Sequence, residues 1–213
     1  MNVALPMKKQ STEEFQTRLW EAVQAIEQNS QVEIVVITRA RSDPYLDIPL
    51  IWGIVGALLS FSYLMFAPAL FEDWLIYGAP VAGFALAYAI ASIPLVTRLS
   101  ATQRRRMKNV EIVARALFQK GGIQHTLAKT GLLIYCSKLE KIVYLVPDRG
   151  VEMALPAEEW RKLRAEFQSM FTNKNPNEAL VRLLHYSKAV FNRYLPPLEN
   201  DINELPDTME IDL

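Results

Sequence analysis

The chain has 213 residues, with 23 Lys or Arg and 23 Asp or Glu, so its formal net charge is zero. A neutral chain lacks the positive field that attracts nucleic acid, and bulk electrostatics therefore predict no nucleic-acid partner. The single cysteine, Cys136, excludes an internal disulfide and suits a reducing compartment. Polar residues follow Lys8 and Lys9, so no cleavable secretory signal is expected.

The first predicted elements are a helix and a strand. Residues 11–28 predict an amphipathic helix, because Ser11 and Glu14 have the spacing of a capping box and apolar side chains recur on one face. Residues 32–38 form a β-branched run that is typical of a buried strand. The Ser42-Asp43-Pro44 segment then predicts a turn.

Two apolar stretches follow the turn. Residues 48–71 and 74–97 contain no charged side chain, and Glu72 and Asp73 separate them. As helices, each stretch would measure about 36 Å, against about 30 Å for the hydrocarbon core of a bilayer. Residues 48–97 are therefore predicted to form a two-helix transmembrane hairpin.

Basic residues beside the hairpin predict its orientation, because cytoplasmic flanks of membrane helices collect Lys and Arg. The loop at Glu72 contains no basic residue. The flanking basic residues are Lys8, Lys9, Arg39 and Arg41 before the hairpin and Arg98, Arg104, Arg105, Arg106 and Lys108 after it. Both soluble arms, residues 1–47 and 98–194, are expected to be cytoplasmic. The cluster of Arg104, Arg105, Arg106 and Lys108 is expected to contact anionic lipid.

Small residues recur at helical spacing inside the hairpin, among them Gly53 and Ala57 in the first span and Gly83 and Ala87 in the second. Such stripes let two helix backbones approach closely. They fit either packing of the hairpin on itself or assembly of several copies. Neither span contains an ionisable Asp, Glu, Lys, Arg or His, which argues against a transporter or channel.

The chain after the hairpin predicts one helix, two strands and two further helices. The first helix covers residues 102–120 and ends at Gly121-Gly122. Residues 132–137 and 142–146 predict a β-hairpin. The last two helices are predicted to start at Pro156 and Asn175. The order predicts an α/β fold with a small mixed sheet, in which the first two strands are parallel and helices cover both faces.

The last segment, residues 195–213, is acidic and contains no Lys or Arg. Its composition is typical of a solvated, partly extended tail. Its apolar residues, such as Leu205 and Ile211, could instead dock on the domain or on a partner, and the sequence leaves both readings open.

Four segments together resemble the core of the TPM-domain family: residues 32–36 (VEIVV), 131–135 (GLLIY), 141–144 (KIVY) and 150–156 (GVEMALP). The resemblance spans most of the soluble part and implies an α/β/α sandwich around a small sheet. It is greatest to a bacterial subgroup with an internal hairpin, which implies an inner-membrane location. Some plant members are described as acid phosphatases, but the family at large has no settled activity. Its members often occur alongside LemA-type membrane proteins, which implies such a partner.

The best candidate for chemistry lies after the third strand, at Asp148-Arg149-Gly150 and Glu152. Ligands usually bind at strand ends of α/β sheets, where Asp43, Asp148 and Glu152 could hold a divalent metal for a phosphatase. The alternative is an ordinary turn, in which Asp148 accepts backbone hydrogen bonds and Gly150 supplies a positive φ. No cofactor is predicted. His125 and His185 are expected to be surface or helix-end histidines rather than zinc ligands, and Cys136 an inert buried thiol.

Three hypotheses for function follow. The first is a membrane-anchored, non-catalytic protein that binds other membrane or envelope proteins. The second is a metal-dependent phosphatase that uses the three carboxylates. The third is a homo-oligomer assembled through the hairpin.

Overall fold

The computed structural model describes residues 7–126, 128–197 and 210–211. It divides into two compact units. One unit combines two distant segments of the chain, Met1–Ala40 and Val110–Leu213. The other is continuous and covers Arg41–Asn109. Each unit is described by itself below.

The elements follow in chain order. They are α1 (Met7–Glu27), β1 (Glu33–Arg39), α2 (Asp47–Phe66), α3 (Asp73–Ala91), α4 (Pro94–Ser100), α5 (Gln103–Lys120), β2 (Gly131–Ser137), β3 (Ile142–Pro147), α6 (Arg149–Ala154), α7 (Ala157–Ser169), α8 (Pro176–Tyr194) and β4 (Glu210–Ile211). Short 3-10 turns occupy Ile123–His125 and Met170–Thr172.

A mixed sheet forms the centre of the discontinuous unit, with strand order β3-β2-β1-β4. β1 and β2 are parallel, from Glu33 opposite Gly131 to Arg39 opposite Ser137. β2 and β3 are antiparallel. These pairings confirm the predicted mixed α/β sheet, and the short β4 adds a parallel partner to β1.

Helices cover both faces of this sheet, as predicted, because alternate strand residues enter two separate cores. Ile34, Leu132 and Ile134 belong to the core that also contains buried side chains of α1, α7 and α8. Leu133 and Tyr135 belong to the core that contains buried side chains of α5. The period-two alternation of a strand therefore divides the apolar residues between the layers.

Three predictions in this unit need correction. α1 begins at Met7, so the capping-box spacing at Ser11 does not mark its start. α6, a helix of six residues, lies between β3 and the helix predicted from Pro156. It is too short to show a helical period in the sequence. β4 was also missed, because it lies in an acidic segment with proline nearby. Gly122 (φ 68°) ends α5, as predicted.

The continuous unit contains α2 and α3, two helices long and apolar enough to cross a membrane. Buried residues make up only 17% of the apolar window in α2 and 6% of that in α3. Core helices of a soluble protein are mostly buried, so these two helices differ from that class.

The helices are shorter than the apolar stretches that predicted them. α2 ends at Phe66 rather than at residue 71. α3 ends at Ala91, and Pro94 starts the separate helix α4 rather than continuing the span to residue 97. Ile93 is extended (φ −64°, ψ 129°), because a residue before proline disfavours the helical region. The Thr97 hydroxyl donates to the Ala91 carbonyl at 2.8 Å across this break.

Candidate functional site

Three regions hold the residues singled out by the sequence: the inside of the hairpin, its charged end, and the end of β3. Inside the hairpin, glycine is required where α2 meets α3. A β-carbon at Gly56 would lie 2.5 Å from the Gly83 carbonyl oxygen and 2.6 Å from the Ala87 β-carbon. A β-carbon at Gly83 would lie 2.6 Å from the Ser60 hydroxyl. These small residues thus form the contact between the two helices.

The remaining predicted packing residues lie on the same contact or next to it. Gly53 is buried against the ring of Phe84, which a β-carbon would approach to 2.6 Å. The Ala57 carbonyl accepts a hydrogen bond from the Ser60 hydroxyl at 2.9 Å. Gly78 differs, because nothing lies within 4 Å of the place where its β-carbon would be.

An ion-pair network joins the start of α2 to the start of α5 within the continuous unit. Arg105 donates to both oxygens of Asp47, at 2.6 and 2.8 Å, and to Asp43 at 3.3 Å. Asn109 donates to the same Asp43 oxygen at 2.8 Å. The Arg105 guanidinium lies 5.1 Å from the centroid of the buried Tyr45 ring. We refer to Asp43, Tyr45, Asp47, Arg105 and Asn109 as the Arg105 network.

The electrostatics of this network follow from its geometry. The planar guanidinium matches a carboxylate in two parallel hydrogen bonds, the stronger arrangement of such pairs. The hydrogen bond to Asp47 raises the pKa of Arg105 above the already high value of an ordinary arginine. The side chain is therefore cationic at physiological pH. Tyr45 adopts a positive φ of 50°, which turns the chain just before α2.

The four residues of the predicted lipid-facing basic cluster differ in burial and in pairing. Arg105 is engaged by two carboxylates, as described above. Arg106 is half-buried, whereas Arg104 and Lys108 are exposed. Lipid contact stays a prediction for these residues. Arg104 and Lys108 are the two whose side chains are exposed, as contact with lipid requires.

At the end of β3, Asp148 caps α6. Its Oδ1 atom accepts from the Arg149 N–H at 2.7 Å. Its Oδ2 atom is buried and has no hydrogen-bond partner in the part of the chain that the structure describes. Asp148 therefore accepts a backbone hydrogen bond, as the turn alternative predicted, but it does so as a helix cap.

The predicted positive φ at Gly150 is wrong, since Gly150 is the second residue of α6 and Gly122 is the positive-φ glycine of the described chain. The reason for glycine is close packing. A β-carbon there would lie 2.6 Å from the Lys129 carbonyl oxygen and 2.7 Å from that of Ala128. The Gly150 N–H donates to the same Lys129 oxygen at 2.8 Å.

The candidate metal ligands have different surroundings. Asp43 belongs to the continuous unit and accepts from Arg105 and Asn109, whereas Asp148 and Glu152 belong to the discontinuous unit. Glu152 is exposed, as is Arg149. Over residues 7–126, 128–197 and 210–211, no group of three or more His, Cys, Asp or Glu is placed to hold a metal ion.

Cys136 and His185 agree with their predicted structural roles. Cys136 is buried in β2, and burial raises the pKa of its thiol to about 12. His185 is exposed on α8, while the side chain of His125 lies outside the described structure. Tyr45 and Asn109 were missed by the sequence reading. The one sequence signal for the Arg105 network was Asp47, because its charge lies directly before an apolar stretch.

Comparison with known proteins supplies a family for this fold. Residues 96–190 match the family model described as TPM domain. The NMR structure of BA42 protein from the psychrophilic bacterium Bizionia argentinensis has the same fold, with a TM-score of 0.57, 16% sequence identity and alignment over 93% of each chain. A search of curated proteins gave no match. Residues 96–190 are therefore similar to the TPM domain, whose family has no settled function.

Proposed function

We propose that the protein is a membrane-anchored interaction module, held in a bacterial inner membrane by the α2–α3 hairpin. The observation that carries the proposal is the surface of these two helices. They contact each other through small residues, while large apolar side chains point outward. Leu59, Phe66 and Trp74 are 66, 88 and 68% exposed. Such a surface is stable in lipid and costly in water.

The Arg105 network supports an orientation for this hairpin. It gathers Asp43, Asp47 and Arg105 where α2 begins and α5 starts, with Arg104 and Lys108 exposed nearby in sequence. Charged groups disfavour the hydrocarbon region, so this end belongs at the membrane surface. The excess of basic residues supports a cytoplasmic position for this end and for both soluble arms.

The partner in this proposal is another membrane or envelope protein. The support is the family association with LemA-type membrane proteins, which makes a protein of that type the first candidate. The test is affinity capture of the tagged full chain from membranes in mild detergent, followed by mass spectrometry. We expect one membrane protein in stoichiometric amount. A matched capture with a tagged, unrelated two-span protein removes nonspecific partners, and recovery of the chain alone would contradict the interaction role.

A phosphatase remains the second candidate, and one observation favours it. The Asp148 Oδ2 atom is buried and unpaired among the described residues, and an unpaired buried oxygen is available to a cation. The test is hydrolysis of a phosphate monoester with Mg²⁺ present. A phosphatase that uses this carboxylate loses about 10-fold or more of its activity in the Asp148→Asn variant. Activity unchanged in that variant would exclude this site.

Homo-oligomerisation through the hairpin is the third candidate. Gly53, Gly56 and Gly83 already form the contact within one chain, so they are not available for a second copy while the hairpin is closed. Assembly through these residues would require the hairpin to open, which the α2–α3 packing opposes.

A further inference from the structure

The two edges of the sheet differ in how their backbone groups are satisfied. Edge strands expose a row of N–H and C=O groups that can pair with another chain. At the β3 edge, Gln168 takes the place of a neighbouring strand. Its side-chain oxygen accepts from the Val143 N–H at 3.2 Å, and its side-chain nitrogen donates to the Lys141 carbonyl at 2.9 Å. Pro147 ends β3 and has no N–H to offer. This edge is therefore blunted against strand addition.

The first half of the β1 edge is also protected. The Glu33 N–H donates to the Thr130 carbonyl at 3.2 Å, on the side of β2. Because successive N–H groups alternate in direction along a strand, the Ile34 N–H faces the outer edge. It donates to the Glu27 side chain at 3.0 Å. A side chain of α1 thus satisfies the outer edge at Ile34.

The second half of the β1 edge is different, because a strand, β4, pairs with its backbone groups. By the same alternation, the N–H groups of Val36 and Thr38 face outward. β4 lies in parallel beside the end of this edge, with Glu210 opposite Ile37 and Ile211 opposite Thr38. β4 comes from the acidic C-terminal segment, which contains six Asp or Glu and no Lys or Arg. β1 ends in the basic residue Arg39, so the charges of the two segments are complementary.

We propose that the outer edge of β1 from Val36 to Arg39 is a strand-addition site, and that its resident occupant is the chain's own C-terminal strand β4, held as a displaceable latch. Over the described part of the segment, two residues of β4 pair with β1, so an extended segment of similar chemistry, acidic with interspersed apolar residues, competes for the site. Such pairing recognises main-chain groups first and side chains second. The proposal does not depend on the membrane anchor.

The first test measures backbone hydrogen exchange in the full chain by NMR in detergent micelles. Glu210→Pro removes an N–H from β4, whereas Glu210→Gln removes only the charge and serves as the matched control. We expect exchange of the Thr38 amide, which faces β4, to accelerate by about tenfold or more in Glu210→Pro, and to stay unchanged in Glu210→Gln. The Val35 and Ile37 amides face β2 and serve as internal references. Equal protection of Thr38 in all three proteins would overturn the proposal.

The second test supplies the strand from outside. A synthetic peptide of residues 206–213 (PDTMEIDL) should bind the Glu210→Pro protein and restore the protection of Thr38. The wild-type chain, whose site is occupied, should bind the peptide at least about tenfold more weakly. A peptide with proline at position 210 should not bind. Equal affinity of the two proteins, or no binding by either, contradicts the latch. A wild-type dimer that Glu210→Pro converts to a monomer would show exchange of the strand between copies instead.

Discussion

Arg105 is the residue on which the charged end of the hairpin depends most. It bonds two carboxylates and lies over an aromatic ring, and each of these contacts is made within residues 41–109. The arrangement links the turn before α2 to the first turns of α5. Geometry of this kind needs the guanidinium fork, which a lysine cannot reproduce.

Replacing Arg105 with methionine should destabilise the continuous unit by about 1 kcal/mol, because Asp47 loses both guanidinium hydrogen bonds and Asp43 keeps only the one from Asn109. The value is modest because the Arg105 side chain is 37% exposed and solvent screens the pair. Thermal unfolding in detergent measures the change. Arg104→Met removes the charge of the exposed neighbour and should be neutral; equal destabilisation by both variants would show that net charge, not the network, matters.

Cys136 gives a prediction about pH. Burial raises the pKa of its thiol from 9.0 to about 12, so the folded state favours the protonated form. The resulting stabilisation is present in full below pH 9.0 and is lost as the pH rises towards 12. Iodoacetamide at pH 8 should therefore alkylate the thiol only after unfolding. Native-state alkylation at the rate of a free thiol would contradict this burial.

The chemical role of a residue was easier to predict than its geometry. The sequence predicted that Asp148 would accept a backbone hydrogen bond, which is confirmed. It could not show that position 150 needs glycine for close packing rather than for a positive φ. The Lys129 carbonyl that Gly150 approaches lies about 20 positions away in sequence. The partners of Arg105 were hidden for the same reason, since 58 positions separate Arg105 from Asp47.

The α2–α3 contact is the element that sets the shape of the continuous unit. Gly56 and Gly83 lie against each other's backbone, where no side chain fits. Gly83→Leu should therefore open the contact and lower the thermal midpoint in detergent. Gly78→Leu is the matched control on the same helix, because nothing lies within 4 Å of its β-carbon position. If Gly83→Leu keeps wild-type stability and halves the particle mass, the stripe joins separate copies instead.

Gln168 protects the β3 edge through both ends of one amide group. Gln168→Ala should free the Val143 N–H and the Lys141 carbonyl, cost about 1 kcal/mol, and raise the rate of aggregation. Light scattering at constant protein concentration measures that rate. Gln119→Ala changes an exposed glutamine of α5 and should aggregate like the wild type. Equal aggregation of both variants would show that the edge is closed by something other than this amide.

Long elements were predictable and short ones were not. Periodicity and apolar length located both membrane-length helices, the three long strands and the helices of the two cores. α4 was hidden because its residues continue the apolar run of α3, and the backbone restriction before Pro94 decides where the helix stops. β4 was hidden because two residues carry no pattern, and its pairing with β1 is a long-range contact.

In the whole molecule, the α2–α3 hairpin interrupts the chain of one folding domain. β1 must pair with β2, although about 90 residues separate them in sequence, and the two apolar helices lie within that interval. Such long-range pairing is slow to form in solution. In the membrane-anchored arrangement that we propose, the α2–α3 hairpin would bring the two ends of this interval close together and so shorten that search.

We propose that α2 and α3 anchor the TPM-like domain on the cytoplasmic side of a membrane. The most direct test is labelling of intact cells with a membrane-impermeant maleimide. Ala69→Cys places a thiol between the two helices and Lys174→Cys places one on the domain, while the buried Cys136 gives little background. We predict that Ala69→Cys is labelled in intact cells and Lys174→Cys only after permeabilisation. Labelling of Lys174→Cys in intact cells, or recovery of the protein from the soluble fraction, would contradict the account.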